Sequence, residues 1–247
     1  DTAPANGRCE VVVFGPEADR PLGALPLARI ELLIRVWADR ARRLQAQGAA
    51  WVLPFENRGV EMGVTLHHPH GQIYAYPVVP PVPAAMAAVA AAHHERHGIG
   101  PLPALLARER AAGVRMLYDG PQAAAFVPAC ARWPYEAWVM PSAPVASFEA
   151  LDDAQVCDLA RALKTVLLKY DALWSRPMPY LMAWYTAPAG PAPGWQLHAE
   201  LWPPYRSRER LKYLAGTEIG AGLFAMDVLP EDSAAALQAV DVAEALR

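Results

Sequence analysis

Cysteine is scarce. Cys9, Cys130 and Cys157 are the 3 cysteines among 247 residues. They stand far apart and form no CxxC pair, which excludes a disulfide framework and suits a reducing cytoplasm. Charge is sparse too. Charged residues make up 19% of the chain and the formal net charge is −3, so nothing points to nucleic acid or an anionic membrane as partner. Long apolar runs are lacking. The richest, residues 78–92, is broken by prolines and followed by HHERH, short of the roughly 20 apolar residues that span a bilayer. The polar opening DTAPANG has no signal-peptide character.

What is present is ample core material, 54% apolar, in a chain long enough for one large domain or two of about 100–150 residues. Residues 27–47 carry Leu27, Ile30, Leu33, Ile34, Trp37, Ala41 and Leu44 at the three- and four-residue spacing of an amphipathic helix. Residues 152–173 repeat the pattern through Val156, Leu159, Leu163, Val166, Leu167 and Tyr170, with an N-cap candidate in the Leu-Asp-Asp at the start. A strand candidate precedes each helix (10–14, EVVVF; 136–140, EAWVM), and two follow it (50–55 and 71–76; 180–185 and 196–202). The offsets are similar: 136 − 10 = 126 for the first strands, and 198 − 68 = 130 for His68 and His198. The chain therefore reads as a duplication of strand–helix–strand–strand, with repeats over residues 1–115 and 116–247.

The second copy starts earlier, with the strand candidate AAAFVP at 123–128, whose counterpart falls near the chain's first residues. The first copy is thus expected to lack at least one opening strand, supplied by an upstream segment or a separate polypeptide, since an open sheet edge is a liability. Residues 84–97 and 102–112 are expected to be connecting helices, 208–215 a short basic helix and 233–246 a terminal one. The Pro-rich stretches 78–83 and 187–194 are expected to be loops.

Two histidine clusters invite a chemical reading. His93 and His97 could share a helix face, but no third ligand is evident, and a solvated helix end with a Gly98 cap accounts for them. HHPHGQIYAY, residues 67–76, differs. His68, His70 and Gln72 alternate, so a strand would project them to one face and leave His67 off it. Pro69 stiffens the chain between the two histidines, and Gly71 admits a close approach. Two imidazoles and an amide on one side suit phosphate chemistry, in which an imidazole can attack phosphorus and an amide can donate to the charged oxygen. Satisfied histidines at a turn would show the same spacing.

FENRG (55–59), MGVT (62–65) and HHPHGQIYAY, followed by WQLHAELWPPYRS (195–207), LKYLAG (211–216), GLFAMD (222–227) and LPE (229–231), resemble the galactose-1-phosphate uridylyltransferase family. That family lies in the histidine-triad (HIT) superfamily. The resemblance spans essentially the whole chain. It implies an α+β fold of two tandem HIT-like repeats, with helices packed on antiparallel sheets and a first repeat short of N-terminal strand. It also implies a ping-pong uridylyl transfer: His70 takes UMP from UDP-glucose and passes it to galactose 1-phosphate. Gln72, where HIT hydrolases carry a third histidine, matches the residue that hydrogen-bonds the phosphoryl group. The backbone carbonyl of His68 would orient the His70 ring. Asn57 and Thr65 match nucleotide phosphate contacts, and Glu56 beside them is a further substrate-binding candidate; Lys212 and Glu218 match the hexose side. Glu200 falls where His70 sits in the first copy.

The chemistry so implied needs no cofactor. Zinc-bearing members use a CxxC and a histidine in the stretch matching 14–19, neither of which this sequence carries. His68 and His198 remain as possible metal ligands. A homodimer with active-site parts crossing the interface is also implied. Arg206, Arg208 and Arg210 read as a solvated helix face. Other readings of the same residues are a nucleotidyltransferase or phosphorylase acting on another nucleotide sugar, and a non-catalytic assembly subunit of a split enzyme.

Overall fold

The computed structural model describes residue 2 and residues 4–246. Both repeats run through the same elements. The first contains β1 (Arg8–Val13), α1 (Leu27–Ala46), β2 (Trp51–Arg58) and β3 (His70–Tyr76); the second contains β6 (Ala137–Pro141), α4 (Asp153–Leu173), β7 (Tyr180–Tyr185) and β8 (His198–Trp202). α2 (Pro81–His97) and α3 (Pro101–Ala112) connect them, and β4 (Met116–Asp119) and β5 (Ala123–Phe126) precede β6 in the second.

The repeats do not build separate sheets. One eight-stranded sheet runs β1-β3-β2-β7-β8-β6-β5-β4, antiparallel at every pairing. Outward from the β2–β7 junction, each repeat lays down its second, third and first strands in turn. The junction register pairs Phe55 with Ala183 and Glu56 with Met182. Among the described residues β1 forms one edge, whereas its counterpart β6 carries β5 and β4 beyond it.

Alternation along the strands sorts residues to two faces. On one face α1 and α4 cover the main core, where Trp37 lies 5.7 Å from Trp184 and Phe148 lies 5.1 Å from Trp184, ring centre to ring centre. Asp152 caps α4 by accepting from the Gln155 backbone N–H, and the Gln155 side chain accepts from the Asp152 N–H, satisfying two otherwise orphan donors. On the other face Leu102, Leu105 and Leu106 pack on Trp138 and Met140. Lys164 of α4 is buried, and its Nζ donates to the Gly23 and Leu25 carbonyls at 3.1 and 2.6 Å. That contact pins the segment joining β1 to α1.

Three sequence expectations are corrected. Residues 208–215 are not a helix: β9 (Tyr205–Ser207) and β10 (Arg210–Leu211) form a small ribbon, followed by α5 (Gly216–Ala221). Tyr205 donates to Glu61 Oε1 at 2.8 Å and packs edge-on to Trp174, which draws the segment extended. Arg206 pairs with Asp227 at 2.9 Å instead of lying on a helix face. The 78–83 stretch is only partly loop, because α2 starts at Pro81; a first-turn position forfeits nothing by lacking an N–H. The terminal helix is shorter than expected, α6 (Pro230–Gln238), with a 3-10 turn at Glu244–Leu246.

Candidate active site

A cavity of about 350 Å³ opens where β2 ends and β3 begins, lined among others by Glu56, Asn57, Arg58, His67, His68 and His70. Four local features shape it. First, Gly59 turns the chain out of β2 at φ 92°, with Pro179 so near that a Cβ would come within 2.6 Å of it, a site for glycine on both counts. Second, Gly71 lets the Phe14 ring and the Phe55 carbonyl close on β3; a Cβ there would meet the ring at 3.0 Å and the carbonyl oxygen at 3.1 Å. Third, the segment held by Lys164 supplies a wall at Ala18, Asp19 and Pro21. Fourth, Arg58 makes a double hydrogen bond to Asp171 at 2.8 and 3.1 Å, tying β2 to α4.

His70 Nδ1 lies 2.8 Å from the His68 carbonyl oxygen. A carbonyl only accepts, so Nδ1 carries the ring proton and Nε2 keeps its lone pair. His68 Nε2 lies 2.7 Å from the Gly15 carbonyl oxygen, so this ring is spent on holding the β1–α1 segment. Gln72 follows two residues along β3, on the His70 side of the sheet, opposite Val11 and Phe55. Asn57 reaches the cavity with its buried Oδ1 unpartnered.

Not every candidate gathers here. Thr65 is exposed on the connection into β3 and does not line the cavity. Lys212 and Glu218 lie outside it and engage each other: Lys212 Nζ is 3.6 Å from Glu218 Oε1 and donates to the Ala225 carbonyl. Glu218 accepts from the Ala225 and Ala215 backbone N–H groups, both at 3.0 Å, and these hold its carboxyl below the usual range. Conversely, His67 lines the cavity although alternation leaves it off the shared face. The Gly15 carbonyl and the Ala18–Pro21 wall carry no sequence signal; Arg58 sits within FENRG.

The offset between copies is also revised. His198 Nδ1 lies 2.8 Å from the Gln196 carbonyl oxygen, the same i to i−2 contact His70 makes. Hydrogen bonding thus pairs His198 with His70, at 198 − 70 = 128, and not with His68; Glu200 is no longer His70's counterpart. The donor set does not fit a metal: among the described residues no group of three or more His, Cys, Asp or Glu side chains could hold one, and the His68 ring is already engaged.

Glu56 is the most perturbed group in the wall. It is buried, Tyr180 OH donates to its Oε2 at 2.8 Å, and burial pushes its carboxyl from 4.5 up to about 7. A raised carboxyl binds its proton more tightly in the folded chain than in the unfolded one. Its unfavourable contribution is absent below the unfolded value and grows as pH rises through the folded one. Glu56→Gln keeps an acceptor for Tyr180 and should therefore gain stability over the parent as pH rises from about 5 to about 8, by up to ~3 kcal/mol. Urea melts across that range test it; parallel pH profiles for the two proteins would refute the assignment.

The fold and this site define a two-repeat protein on one antiparallel sheet, with a histidine prepared on a strand. Residues 1–80 match the family profile described as galactose-1-phosphate uridyl transferase, N-terminal domain, and residues 101–245 match its C-terminal domain. The galactose-1-phosphate uridylyltransferase of Thermotoga maritima is 34% identical over 96% of this chain and 76% of its own length. That of Streptomyces lividans is 39% identical over 75% of this chain and 53% of its own. A solved structure of uridylyltransferase superposes with TM-score 0.89 at 36% identity, covering 97% of this chain and 76% of that one. The chain belongs to the galactose-1-phosphate uridylyltransferase family, a family of nucleotidyltransferase enzymes. No helix among the described residues is long and apolar enough to cross a membrane.

Proposed function

We propose that this chain moves UMP between UDP-glucose and galactose 1-phosphate through a covalent adduct on His70. The observation that carries the reading is the 2.8 Å contact of His70 Nδ1 with the His68 carbonyl, which leaves Nε2 as the nucleophile. In the first half-reaction Nε2 bonds to the α-phosphorus, the bond from phosphorus to the bridging oxygen breaks, and glucose 1-phosphate departs. In the second, a phosphate oxygen of galactose 1-phosphate attacks the same phosphorus and the P–N bond breaks. Gln72 donates from its amide to the phosphoryl oxygen as charge develops, and Asn57 and Glu56 serve the nucleotide side. No cofactor takes part.

Lys212 and Glu218 lie outside the His70 cavity and serve it across a homodimer interface. Tyr213, Ile219 and Leu223 beside them expose apolar surface suited to that contact. The open edge of β1 pairs with further strand from an upstream segment or a separate polypeptide, as β5 pairs with β6. The free thiols of Cys9, Cys130 and Cys157 suit a cytoplasmic enzyme. Incubation with UDP-glucose alone should raise the intact mass by one uridylyl group, and adding galactose 1-phosphate should remove it. An unshifted mass from folded protein would sink the reading.

A further inference from the structure

The last turn of α2 carries two histidines four residues apart. Positions i and i+4 are neighbours on a helix surface, and the His93 and His97 ring centres stand 4.5 Å apart with their planes inclined at 49°. Just beyond, Gly98 takes the left-handed conformation at φ 71° and turns the chain so that the Ile99 carbonyl returns to His93. That oxygen lies 2.8 Å from His93 Nδ1. A carbonyl only accepts, so Nδ1 carries the ring proton and Nε2 keeps its lone pair. His93 is half-buried with its Nε2 still open to solvent, and His97 is exposed.

Three features suit a metal ion. A ligating imidazole commonly gives its other ring proton to a carbonyl, which fixes the tautomer and raises the basicity of the ligating nitrogen; His93 does so already. Metal–nitrogen bonds of about 2.0–2.1 Å put each ring centre ~3.2 Å from the ion, so two imidazoles meeting it at roughly 90–110° have centres ~4.5–5.2 Å apart. The His93–His97 spacing falls at the near end of that span. The free carbonyls of a helix's last turn also favour a cation, and the neighbouring charges, Glu95 and Arg96, are both exposed and of opposite sign. We infer that His93 and His97 form a two-histidine chelate for a divalent transition-metal ion of the copper–nickel–zinc class, with water in its remaining positions. Imidazole suits these ions, and copper(II) is held tightest among them. With two protein ligands the site is open and exchangeable, unlike the closed four-ligand sites of structural zinc. Neither histidine lines the His70 cavity, so the site stands independently of the transfer chemistry.

Titration calorimetry with copper(II), then zinc(II), on the full chain tests the site. The parent should bind one equivalent of copper(II) at a site that His93→Ala and His97→Ala each weaken by at least about ten-fold, the loss that even a partner of a ligand brings. The double variant should bind no more weakly than either single one, because a chelate needs both rings. His94→Ala removes the imidazole next to the pair and should bind as the parent does. Zinc(II) should compete for the same site with lower affinity. The three positions lie at an open helix end, and circular dichroism melts check that each variant is folded. Absence of a saturable site in the parent, copper(II) binding in either single variant equal to that of the parent, or an equal loss in His94→Ala would each overturn the assignment. Copper held only by the HHPH stretch would survive both substitutions and would overturn it too.

Discussion

His70→Ala is expected to reduce uridylyl transfer by roughly 10⁴-fold or more, the scale on which removing a covalent nucleophile acts, and to abolish the mass shift with UDP-glucose. The argument is geometric. Of the histidines in the HHPHGQ stretch, His70 has its Nδ1 fixed by a carbonyl at 2.8 Å and lines the cavity beside Asn57. His68 spends Nε2 on Gly15, and His67 is exposed. The side chain is only half-buried, so truncation should leave the melting transition near that of the parent. A folded variant that lost activity but still acquired UMP would move the nucleophile elsewhere. His68→Ala sharpens the contrast. It keeps the carbonyl that orients His70 and removes only the tether to Gly15, so it should lower the rate far less while still forming the adduct.

Sequence periodicity revealed elements whose partners are local or repeated. The spacing from Leu27 to Leu44 and from Val156 to Tyr170 marks two helix faces, and the Leu-Asp-Asp before the second marks a helix start. Alternation in HHPHGQ put His70 and Gln72 on one side of β3, whereas His68, expected on the same face, lies before that strand and turns its ring to the Gly15 carbonyl. Elements decided by distant contacts were misread. Residues 208–215 look like a short basic helix until Glu61 and Trp174 are seen to hold Tyr205 and draw the segment extended. The prolines at 80, 81 and 83 look like a loop, although Pro81 opens α2. Within the site, the Gly15 carbonyl, the Ala18–Pro21 wall and the Lys164 clamp depend on where the β1–α1 segment lies against α4, and no residue type advertises that. Counting along the chain aligned His198 with His68, whereas hydrogen bonding aligns it with His70, because loop lengths drift while strand contacts do not.

Arg132→Met should lower stability by about 3 kcal/mol or more, within the range for removing one partner of a buried charge pair. The Glu136 side chain is fully buried and the Glu200 side chain is 5% exposed, while the Arg132 side chain that serves both is 35% exposed. Glu136 has other donors, the Arg132 and Trp133 backbone N–H groups at 2.6 and 3.1 Å and Trp138 Nε1 at 2.8 Å. Glu200 faces His198 on its other side, and a neutral imidazole protonated on Nδ1 offers Glu200 no hydrogen. Most of the loss should therefore fall on Glu200, which becomes a buried anion whose main counter-charge is gone. Methionine retains much of the stem that packs beside Trp202, over which the guanidinium lies at 5.4 Å, so the readout is weighted towards charge over shape. Adding Glu200→Gln to Arg132→Met removes the stranded anion and should recover most of the loss, a coupling that a double-mutant cycle by urea denaturation measures. A deficit below about 1 kcal/mol, untouched by Glu200→Gln, would show that water, not Arg132, balances this carboxylate.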